Sequence, residues 1–497
     1  MPEPSAASAH ALEFDLPGST RRSASSSTAP SAQLELGLPA PIPGIAIAPE
    51  WKDQQRLWGH AFHPMCSYLA SFPAALAHAF IARYSRPGDV VLDPFSGRGT
   101  TPLQACAEGR FGVGNDLNPF AHLLTAAKVE PAARSEARTR LTALRLAWAA
   151  EAEDWTRLGG TVVEEALGMA DAPRPGSGVA GACHVPAAGS GHGPDSGDEA
   201  VPAEVALAFH PRTLGQMLAV RSALRLDDRV DRFLAAALTG ILHGKSASYV
   251  SEVMPNTFSM APRYVRDFVT RTAFRSPDRD VFDGLGLKLG RLYRHGLPSA
   301  GGIALLGDAR DVGTRTRAAL RARSLPDRAR LVVSSPPYLR VVKYGYYNWL
   351  RAWACGFDPN EIDATLDDAH HRKPYVAFLR EVLAALRPAL TDDAVVVLVI
   401  GDVETDRGRP IRDGIGLAET VWEEAAAPEG YRLAGVALDD VHAGRKMTKL
   451  WGSEAGNATK LDRILVLGAT EAGRRRAISS ASLPVDWAWP PRGLRAI

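Results

Sequence analysis

An apolar run that ends in an acid and a glycine-punctuated turn constrains the fold of this chain more than any other stretch. It reads Val90-Val-Leu-Asp-Pro-Phe-Ser-Gly-Arg-Gly-Thr100. An apolar run bounded by turn residues is typical of a central parallel strand. Gly97 and Gly99 lack a Cβ where a backbone approaches a ligand closely or takes a positive φ. Thr101–Gly109 has a helix-forming composition, and a helix there would direct unpaired N–H groups towards whatever lies above the strand. The stretch therefore predicts a strand, a loop and a helix, with a ligand at the carboxyl end of the strand.

Acids end both this strand and the next one. Asp93 closes the first strand, and Asp116 closes Phe111–Asp116, roughly 20 residues after the loop, where dinucleotide-binding units place an acid on the ribose hydroxyls. An acid suits an amine or a hydroxyl better than a phosphate, and the third glycine of the dinucleotide fingerprint is missing. These features argue against a nicotinamide dehydrogenase and for a cofactor such as S-adenosyl-L-methionine (SAM).

Strand and helix patterns alternate again in the second half of the chain. Five further apolar runs bring the predicted strands to seven: 302–308, 330–338, 394–402, 431–438 and 463–467. Strands that alternate with helices predict an α/β fold with a doubly wound sheet. The helix-rich residues from about 131 to 300 interrupt this sheet between its second and third strands.

The totals exclude several classes of protein. A net charge of +2 gives no strongly basic footprint, so any contact with nucleic acid must be local. The four cysteines are scattered, which favours free thiols in a reduced compartment and supports neither a disulfide framework nor a metal site. No apolar run reaches the ~18 residues of a membrane helix, and the N-terminus lacks the pattern of a signal peptide. We therefore expect a cytoplasmic protein.

The segment Ser334-Ser-Pro-Pro-Tyr338, at the end of the fourth predicted strand, has the residue types that position an amino group. Two prolines fix φ and remove N–H groups, so the backbone leaves the sheet stiff, with its carbonyl oxygens exposed. The Ser335 hydroxyl and the Pro336 carbonyl can accept hydrogen bonds from an exocyclic amino group, and Tyr338 can stack on a planar ring. A base would have to leave the duplex to reach such a pocket. The alternative is a Pro-Pro turn beside a core tyrosine.

Both stretches resemble motifs of the amino-group DNA methyltransferases. Asp93-Pro-Phe-Ser-Gly-Arg-Gly-Thr100 is similar to the cofactor motif of that family, and Ser335-Pro-Pro-Tyr338 to its catalytic motif. The Ser-Pro-Pro-Tyr form resembles the N4-cytosine enzymes, whereas Asp-Pro-Pro-Tyr is commoner among N6-adenine enzymes. His63–Pro73 resembles the element that touches the methionine part of the cofactor, and Tyr344–Gly356 resembles the helix after the catalytic motif. The resemblance implies a Rossmann-like SAM-dependent methyltransferase sheet with a large, mainly helical insertion.

The resemblance also implies the site residues. Ser335, Pro336, Pro337 and Tyr338 would be catalytic, and SAM would be the cofactor, with no metal. Asp93 and the loop would hold its methionine part, Asp116 its ribose and Asp308 its adenine amino group, although an acid after a strand is also typical of a helix cap. The implied cofactor-binding residues are Asp93, Pro94, Phe95, Gly97, Gly99, Thr100, Asp116, Asn118, Asp308 and Ala309.

The implied reaction is direct methyl transfer to the exocyclic amino group of a flipped base in double-stranded DNA, with N4 of cytosine favoured. The alternatives are an N6-adenine enzyme, an RNA or tRNA base methyltransferase, a protein-glutamine methyltransferase, and a SAM-fold nucleic-acid-binding protein without catalysis. Asn usually leads the Pro-Pro-Tyr turn of glutamine enzymes, and Ser335 weighs against that alternative. A restriction or defence-system partner stays open.

Two groups of residues are candidates for DNA contacts, with solvated loop charge as the alternative. The first group is Arg340, Lys343, Tyr344 and Tyr346, and the second is Arg445, Lys446, Lys449 and Lys460. Ser246–Phe268, with Asn256, Arg263 and Arg266, could also present groups to bases and phosphates or could pack on the core as an irregular loop. Its two prolines are expected to prevent a regular helix.

The chain divides by composition into five parts. Residues 1–45, rich in Ser, Ala and Pro, are expected to be a disordered leader. Residues 46–130 and 301–470 would form the two parts of the methyltransferase domain. Between them, 131–300 would be the helical insertion, with a flexible loop at 171–203 and a role in target recognition left open, and 471–497 a C-terminal tail.

Overall fold

The computed structural model describes residues 47, 49–55, 57–68, 71–171, 182–183, 201–254, 259–337, 343–366, 371–401, 405–406, 409–410, 416–439 and 462–489. All of them fall within one compact unit, Ile42–Ile497. The expected leader at 1–45 and nearly all of the expected loop at 171–203 lie outside the described residues, as does Tyr338. Within the described ranges, no helix is both long and apolar enough to cross a membrane.

Seven strands form one mixed sheet. In chain order they are β1 (Val90–Asp93), β2 (Phe111–Asp116), β3 (Gly302–Leu306), β4 (Ala329–Ser334), β5 (Leu390–Gly401), β6 (Arg432–Asp439) and β7 (Asp462–Gly468). Their order across the sheet is β6-β7-β5-β4-β1-β2-β3, and β7 is antiparallel to both of its neighbours while the other pairs are parallel. The predicted doubly wound, seven-stranded, Rossmann-like sheet is confirmed. The order reverses between β1 and β4, and such a switch point opens a crevice at the carboxyl edge of the sheet.

Helices connect and cover the strands. In chain order they are α1 (Ala74–Tyr84), α2 (Thr100–Ala107), α3 (Pro119–Val129), α4 (Arg134–Ala150), α5 (Ala152–Asp171), α6 (Ala203–Ala208), α7 (Pro211–Ala223), α8 (Arg229–Thr239), α9 (Pro262–Thr272), α10 (Val281–Leu292), α11 (Val312–Ala322), α12 (Tyr344–Tyr347), α13 (Trp349–Ala354), α14 (Pro359–Thr365), α15 (Arg372–Leu386), α16 (Leu417–Thr420) and α17 (Glu471–Ser480). A π-helical turn, Val421–Ala426, continues α16. Short 3-10 turns occur at Glu50–Asp53, His63–Met65, Tyr293–His295, Ala309–Asp311 and Arg387–Ala389.

The sheet is buried on both faces, which explains the unbroken apolar runs of its strands. Successive residues of β1 point to opposite sides: Val91 belongs to the core that includes Phe80 of α1, and Leu92 to the core that includes Leu383 of α15. Loops and polar side chains therefore lie at the carboxyl edge of the sheet.

The helices α4–α10 lie between β2 and β3 in sequence but pack into the body of the protein. One hydrophobic cluster joins Phe233 of α8 to Phe62 before α1, to Phe120 of α3 and to Trp349 of α13. The ring centroids of Phe62 and Phe233 lie 5.4 Å apart. The inserted helices therefore share a core with the segments that flank the carboxyl edge of the sheet.

One local expectation was wrong. The prolines of 246–268 were expected to prevent a regular helix, but α9 begins at Pro262 and continues to Thr272. Proline is tolerated at the first helical position because its missing N–H has no partner there in any helix. Val265 and Val269, four residues apart, bury the inner face of this helix.

Candidate active site

The loop between β1 and α2 is shaped by two glycines with positive φ. Gly97 has φ of 49° and Gly99, the N-cap of α2, has φ of 77°. A Cβ on Gly99 would lie 2.9 Å from Thr125 Oγ1 and 3.0 Å from Thr125 Cα. A side chain at residue 99 would therefore push the loop away from α3.

Asp116 holds this loop from the end of β2. Its Oδ2 accepts a hydrogen bond from the Gly97 N–H at 2.7 Å, and its Oδ1 accepts one from the Asn118 N–H at 3.0 Å. Burial raises the pKa of this carboxyl to about 6, against the opposing effect of the two N–H donors. The side chain is therefore ionised at neutral pH and can accept further hydrogen bonds from a ligand.

Asp93 lies beneath the loop. Its carboxyl group is 1% exposed, and Oδ1 accepts hydrogen bonds from the Ser334 hydroxyl at 2.6 Å and from the Phe95 N–H at 3.1 Å. Burial raises its pKa to about 7. Asp93 thus joins the ends of β1 and β4, on the two sides of the switch point.

A cavity of about 100 Å³ opens above these strand ends. Nine of the residues proposed from sequence line it: Pro94, Phe95, Gly97, Asp116, Asn118, Asp308, Ala309, Ser335 and Pro337. Asp93, Gly99, Thr100 and Pro336 are buried and are not among the lining residues. Tyr338 lies outside the described residues.

Side chains from other elements complete the cavity. They are Tyr68, Asn115, Leu117, Arg310, Tyr344, Leu366, Tyr375 and Phe378. Tyr68 falls within His63–Pro73, the segment compared above with the element that touches the methionine part, whereas sequence reasoning did not assign the others to the cofactor site. Asn115 donates to the carbonyls of Pro94 at 3.1 Å and Gly307 at 2.9 Å, and so joins the loops after β1 and β3. Phe378 packs against Phe95, with 5.8 Å between ring centroids. Tyr375 and Phe378 have ordinary helix spacing in α15, which resembles a core pattern.

Tyr344, one of the candidates for a DNA contact, lines this cavity. Its ring stacks on Tyr68, with centroids 5.8 Å apart and an angle of 19° between the planes. The Asn118 side chain donates to the Tyr68 hydroxyl at 3.2 Å. Burial raises the pKa of both tyrosines. This stack joins the segment before α1 to α12, which follows the end of β4.

Asp308 already has partners on the cavity wall. Its Oδ1 accepts from the Arg310 N–H at 2.8 Å, as a helix cap does, and the Arg310 guanidinium donates to Oδ2 at 2.7 Å. This arginine holds the pKa of the carboxyl below its usual range. The guanidinium carbon also lies 5.6 Å from the centre of the Phe378 ring. Asp308 therefore caps the backbone that follows it and also lines the cavity, so the two alternatives do not exclude each other.

The end of β4 presents Ser335 and Pro337 to the same cavity. The Ser335 hydroxyl donates to the Val399 carbonyl of β5 at 3.3 Å, which orients it at the sheet edge. The hydroxyl oxygen keeps its ability to accept a hydrogen bond. The cavity wall thus combines a carboxylate, apolar and aromatic surfaces, and a hydroxyl at the end of the neighbouring strand.

The candidate residues for nucleic-acid contacts fall into two groups, those that the structure describes and those that lie outside the described residues. Lys343 is exposed and Tyr346 is 38% exposed, whereas Arg340 and the second set (Arg445, Lys446, Lys449 and Lys460) lie outside the described residues. In α9, Arg266 pairs with Glu204, but Arg263 is exposed and its charge acts on the Tyr346 hydroxyl. Arg263 on α9, Tyr346 on α12 and Lys343, the N-cap of α12, are here called the basic rim.

Comparison with known proteins agrees with the arrangement of the loop and Asp116. Residues 42–127 match the DNA methylase family of N6 and N4 enzymes. The type II methyltransferase M.MjaII of Methanocaldococcus jannaschii is 35% identical over 71 residues, 14% of this chain and 13% of that protein. M.Cfr9I of Citrobacter freundii, also a type II methyltransferase, is 36% identical over 70 residues, 14% of this chain and 23% of that protein.

These matches cover less than a quarter of the length of each of those two relatives. Among solved structures, TrmN from Thermus thermophilus aligns with 82% of this chain and 52% of its own, at 11% identity and a TM-score of 0.27. Residues 42–127 thus form a segment that is similar to the N6/N4 DNA methylases, a family for which S-adenosyl-L-methionine is the methyl donor.

Proposed function

We propose that this protein is a SAM-dependent DNA methyltransferase that methylates the exocyclic amino group of a flipped-out base, with N4 of cytosine as the favoured target. One observation carries the proposal: Ser335 and Pro337, at the end of β4, line the same cavity as Gly97 and Asp116. A donor held against the loop would face an amino group held at the end of β4. Proximity and orientation of this kind supply much of the rate in a direct transfer.

The cofactor side of the cavity is assigned from the chemistry of its wall. The ionised Asp116 carboxylate accepts hydrogen bonds from the ribose hydroxyls. Phe95, Phe378 and Ala309 enclose the adenine, and the loop from Phe95 to Thr100 holds the methionine part. Asp93 acts through the loop, because its carboxyl lies beneath it. Asp308 would share its carboxylate between Arg310 and an adenine amino group.

The base side of the cavity is assigned to the end of β4 and the residues after it. When bound, SAM supplies a methyl group made electrophilic by its sulfonium. The Ser335 hydroxyl and the Pro336 carbonyl accept hydrogen bonds from the amino group and aim its lone pair at that methyl, while Tyr338 stacks on the base. A cysteine nucleophile is not required: Cys66, Cys106 and Cys355 are buried, and none of these three lines the cavity.

DNA as the substrate is supported by the family match and by the position of the basic rim. Arg263 and Lys343 can contact phosphates, which position a duplex without reading its sequence. Tyr346 adds an exposed ring beside them. The similarity of about 14% of this chain to two type II methyltransferases makes a restriction partner a reasonable extension of the proposal. The serine that leads Pro-Pro-Tyr is the basis for favouring cytosine over adenine.

The proposal is tested with purified protein and methyl-labelled SAM, offered duplex DNA from a methylation-free host or total RNA from the same cells. Labelled N4-methylcytosine in hydrolysed DNA is the expected product. N6-methyladenine would keep the reaction and change the base, and label in RNA would contradict DNA as the substrate. Asp116→Asn should weaken cofactor binding, whereas Tyr338→Ala should retain binding and lose turnover. Turnover of Tyr338→Ala at the wild-type rate would contradict the assignment of the base side.

A further inference from the structure

Lys128, near the end of α3, is a fully buried amine that the proposed reaction does not use. Its side chain is 0% exposed, and Nζ donates to the Arg98 carbonyl oxygen in the glycine loop at 2.5 Å. Among the described residues, no carboxylate forms an ion pair with it. Burial lowers the pKa of the amine well below its ordinary value, and the Arg98 charge lowers it further. Burying an amine without an opposite charge costs stability.

Thr125 contacts the same loop from one helical turn earlier. Its hydroxyl donates to the Gly97 carbonyl at 3.1 Å, and its side chain is also fully buried. Together with the close approach of Thr125 to Gly99, these contacts mean that α3 holds two successive carbonyl groups of the loop, those of Gly97 and Arg98.

Holding the carbonyls fixes the direction of the N–H groups. In a trans peptide the C=O and the following N–H point to opposite sides. The carbonyls of Gly97 and Arg98 point to α3, so the N–H groups of Arg98 and Gly99 point away from it. The Gly99 N–H closes the turn on the Ser96 carbonyl at 2.7 Å. The Arg98 N–H follows directly after Gly97, which lines the cavity.

We propose that Lys128 and Thr125 are positioning residues for the cofactor. By holding the carbonyls of Arg98 and Gly97, they keep the loop in the conformation whose Arg98 N–H serves the methionine part of SAM. The proposal rests on the proposed function only in taking this cavity as the SAM site. This role explains why an amine that lowers stability is buried at this position: the amine contributes to ligand binding.

Lys128→Met tests this role, because methionine fills a similar volume without the amine. We expect its dissociation constant for S-adenosyl-L-homocysteine, measured by calorimetry, to rise about tenfold. Its thermal midpoint should stay level or rise, since an uncompensated amine has left the interior. A merely structural role would give the opposite pattern, a lower midpoint with unchanged affinity.

Lys288→Met is the matched control. Lys288 also has a pKa lowered by burial, to about 8, and also donates to a backbone carbonyl, that of Pro64 at 3.1 Å. It does not touch the glycine loop, so its substitution should leave the affinity unchanged. An equal loss of affinity in both lysine variants would contradict a specific role for Lys128.

If Lys128→Met fails to fold, variants of Thr125 test the positioning role. Thr125→Val removes the hydroxyl at nearly constant volume and should weaken binding several-fold, whereas Thr125→Ser keeps the donor and should restore it. If wild-type protein does not bind S-adenosyl-L-homocysteine, the proposed cofactor site falls, and the role of Lys128 with it. If the wild type binds and the Lys128 and Thr125 variants bind equally well, the positioning role alone is overturned.

Discussion

Asp93 and Asp116 end neighbouring strands, yet their carboxyl groups have different surroundings. Asp116 faces the cavity and is held by two backbone N–H groups. Asp93 is buried between β1 and β4 and accepts a hydroxyl from Ser334. Asp116 can therefore bind a ligand directly, whereas Asp93 fixes the position of the loop on which the ligand rests.

Asp93 should give the stability of the protein a measurable pH dependence. Its folded-state pKa is raised to about 7 by burial, while an unfolded aspartate titrates near ~3.9. Between these values the folded state keeps a proton that the unfolded state has lost, so the free energy of unfolding falls as pH rises from about 4 to about 7. Asp93→Asn stays neutral and keeps an oxygen for Ser334 and Phe95.

We therefore expect Asp93→Asn to lose this part of the slope. Relative to wild type, its free energy of unfolding should gain roughly 2–3 kcal/mol between pH 5 and pH 8. Urea denaturation of both proteins across this range measures the difference. Parallel curves for the two proteins would contradict the raised pKa of Asp93.

At the residue scale, the sequence could predict which strand ends meet but not which way each side chain points. Asp116, Gly97 and Ser335 share a cavity because the carboxyl ends of parallel strands lie at one edge of a sheet. The burial of Asp93 depends on the alternation within β1 and on Ser334 opposite it, and neither is visible in a motif. Lys128 was missed because a lysine within a helix ordinarily reaches solvent.

At the scale of elements, the inserted helices belong to the same core as the cofactor side of the sheet. Phe233 of α8 packs edge-on against Phe62, in the segment before α1 that also contains Tyr68. Its ring also contacts Tyr293, after α10, in a tilted arrangement. Phe120, from the helix that follows Asp116, belongs to the same cluster. The insertion therefore supports the cavity from behind, and this role is independent of any part in target recognition.

Phe233→Ala should destabilise the whole protein. Its side chain is fully buried, and removing a buried aromatic ring costs about 3–5 kcal/mol. We expect a single unfolding transition at lower denaturant, followed in parallel by tryptophan fluorescence and by circular dichroism. Leu287→Ala, on α10 and 62% exposed, is the control and should change stability by less than about 0.5 kcal/mol. A separate early transition, with the rest of the protein unaffected, would indicate that the insertion is an independent domain.

The sheet was predictable because its strands are buried on both faces and read as apolar runs. Elements outside the sheet were harder to predict. Pro262 begins α9, and only its position in the first turn distinguishes it from a proline that ends a helix. Residues 344–356, compared above with one helix, form α12 and α13 on either side of Asn348. Tyr375 and Phe378 reach the cavity from α15, a helix remote in sequence from both motifs.

At the scale of the whole molecule, the net charge is close to zero, and the basic rim is a local group of positive charges. With a net charge of +2 over 497 residues, attraction to DNA must come from local groups such as Arg263 and Lys343. Both are exposed; Arg263 lies on α9 of the insertion, and Lys343 is the N-cap of α12 in the segment after β4. The rim thus combines residues from two parts of the chain, the insertion and the segment after β4.

Arg263→Ala and Lys343→Ala should each weaken DNA binding by several-fold and reduce its dependence on salt, because fewer counterions are released. Fluorescence anisotropy of a labelled duplex at several salt concentrations measures both effects. Affinity for S-adenosyl-L-homocysteine should not change. Arg475→Ala is the matched control, because Arg475 is exposed on α17, which packs against β5 and β7. Equal losses in all three variants would point to general electrostatics rather than to the rim.

The most direct test of the account is the chemistry that the protein leaves on DNA. The chain is expressed in a methylation-free host, beside Tyr338→Ala, and the nucleosides of the genomic DNA are analysed by mass spectrometry. We expect N4-methylcytosine with the wild type and none with the variant. N6-methyladenine would retain the reaction and correct the base. Unmodified DNA from a protein that binds S-adenosyl-L-homocysteine would contradict the account of DNA as its substrate.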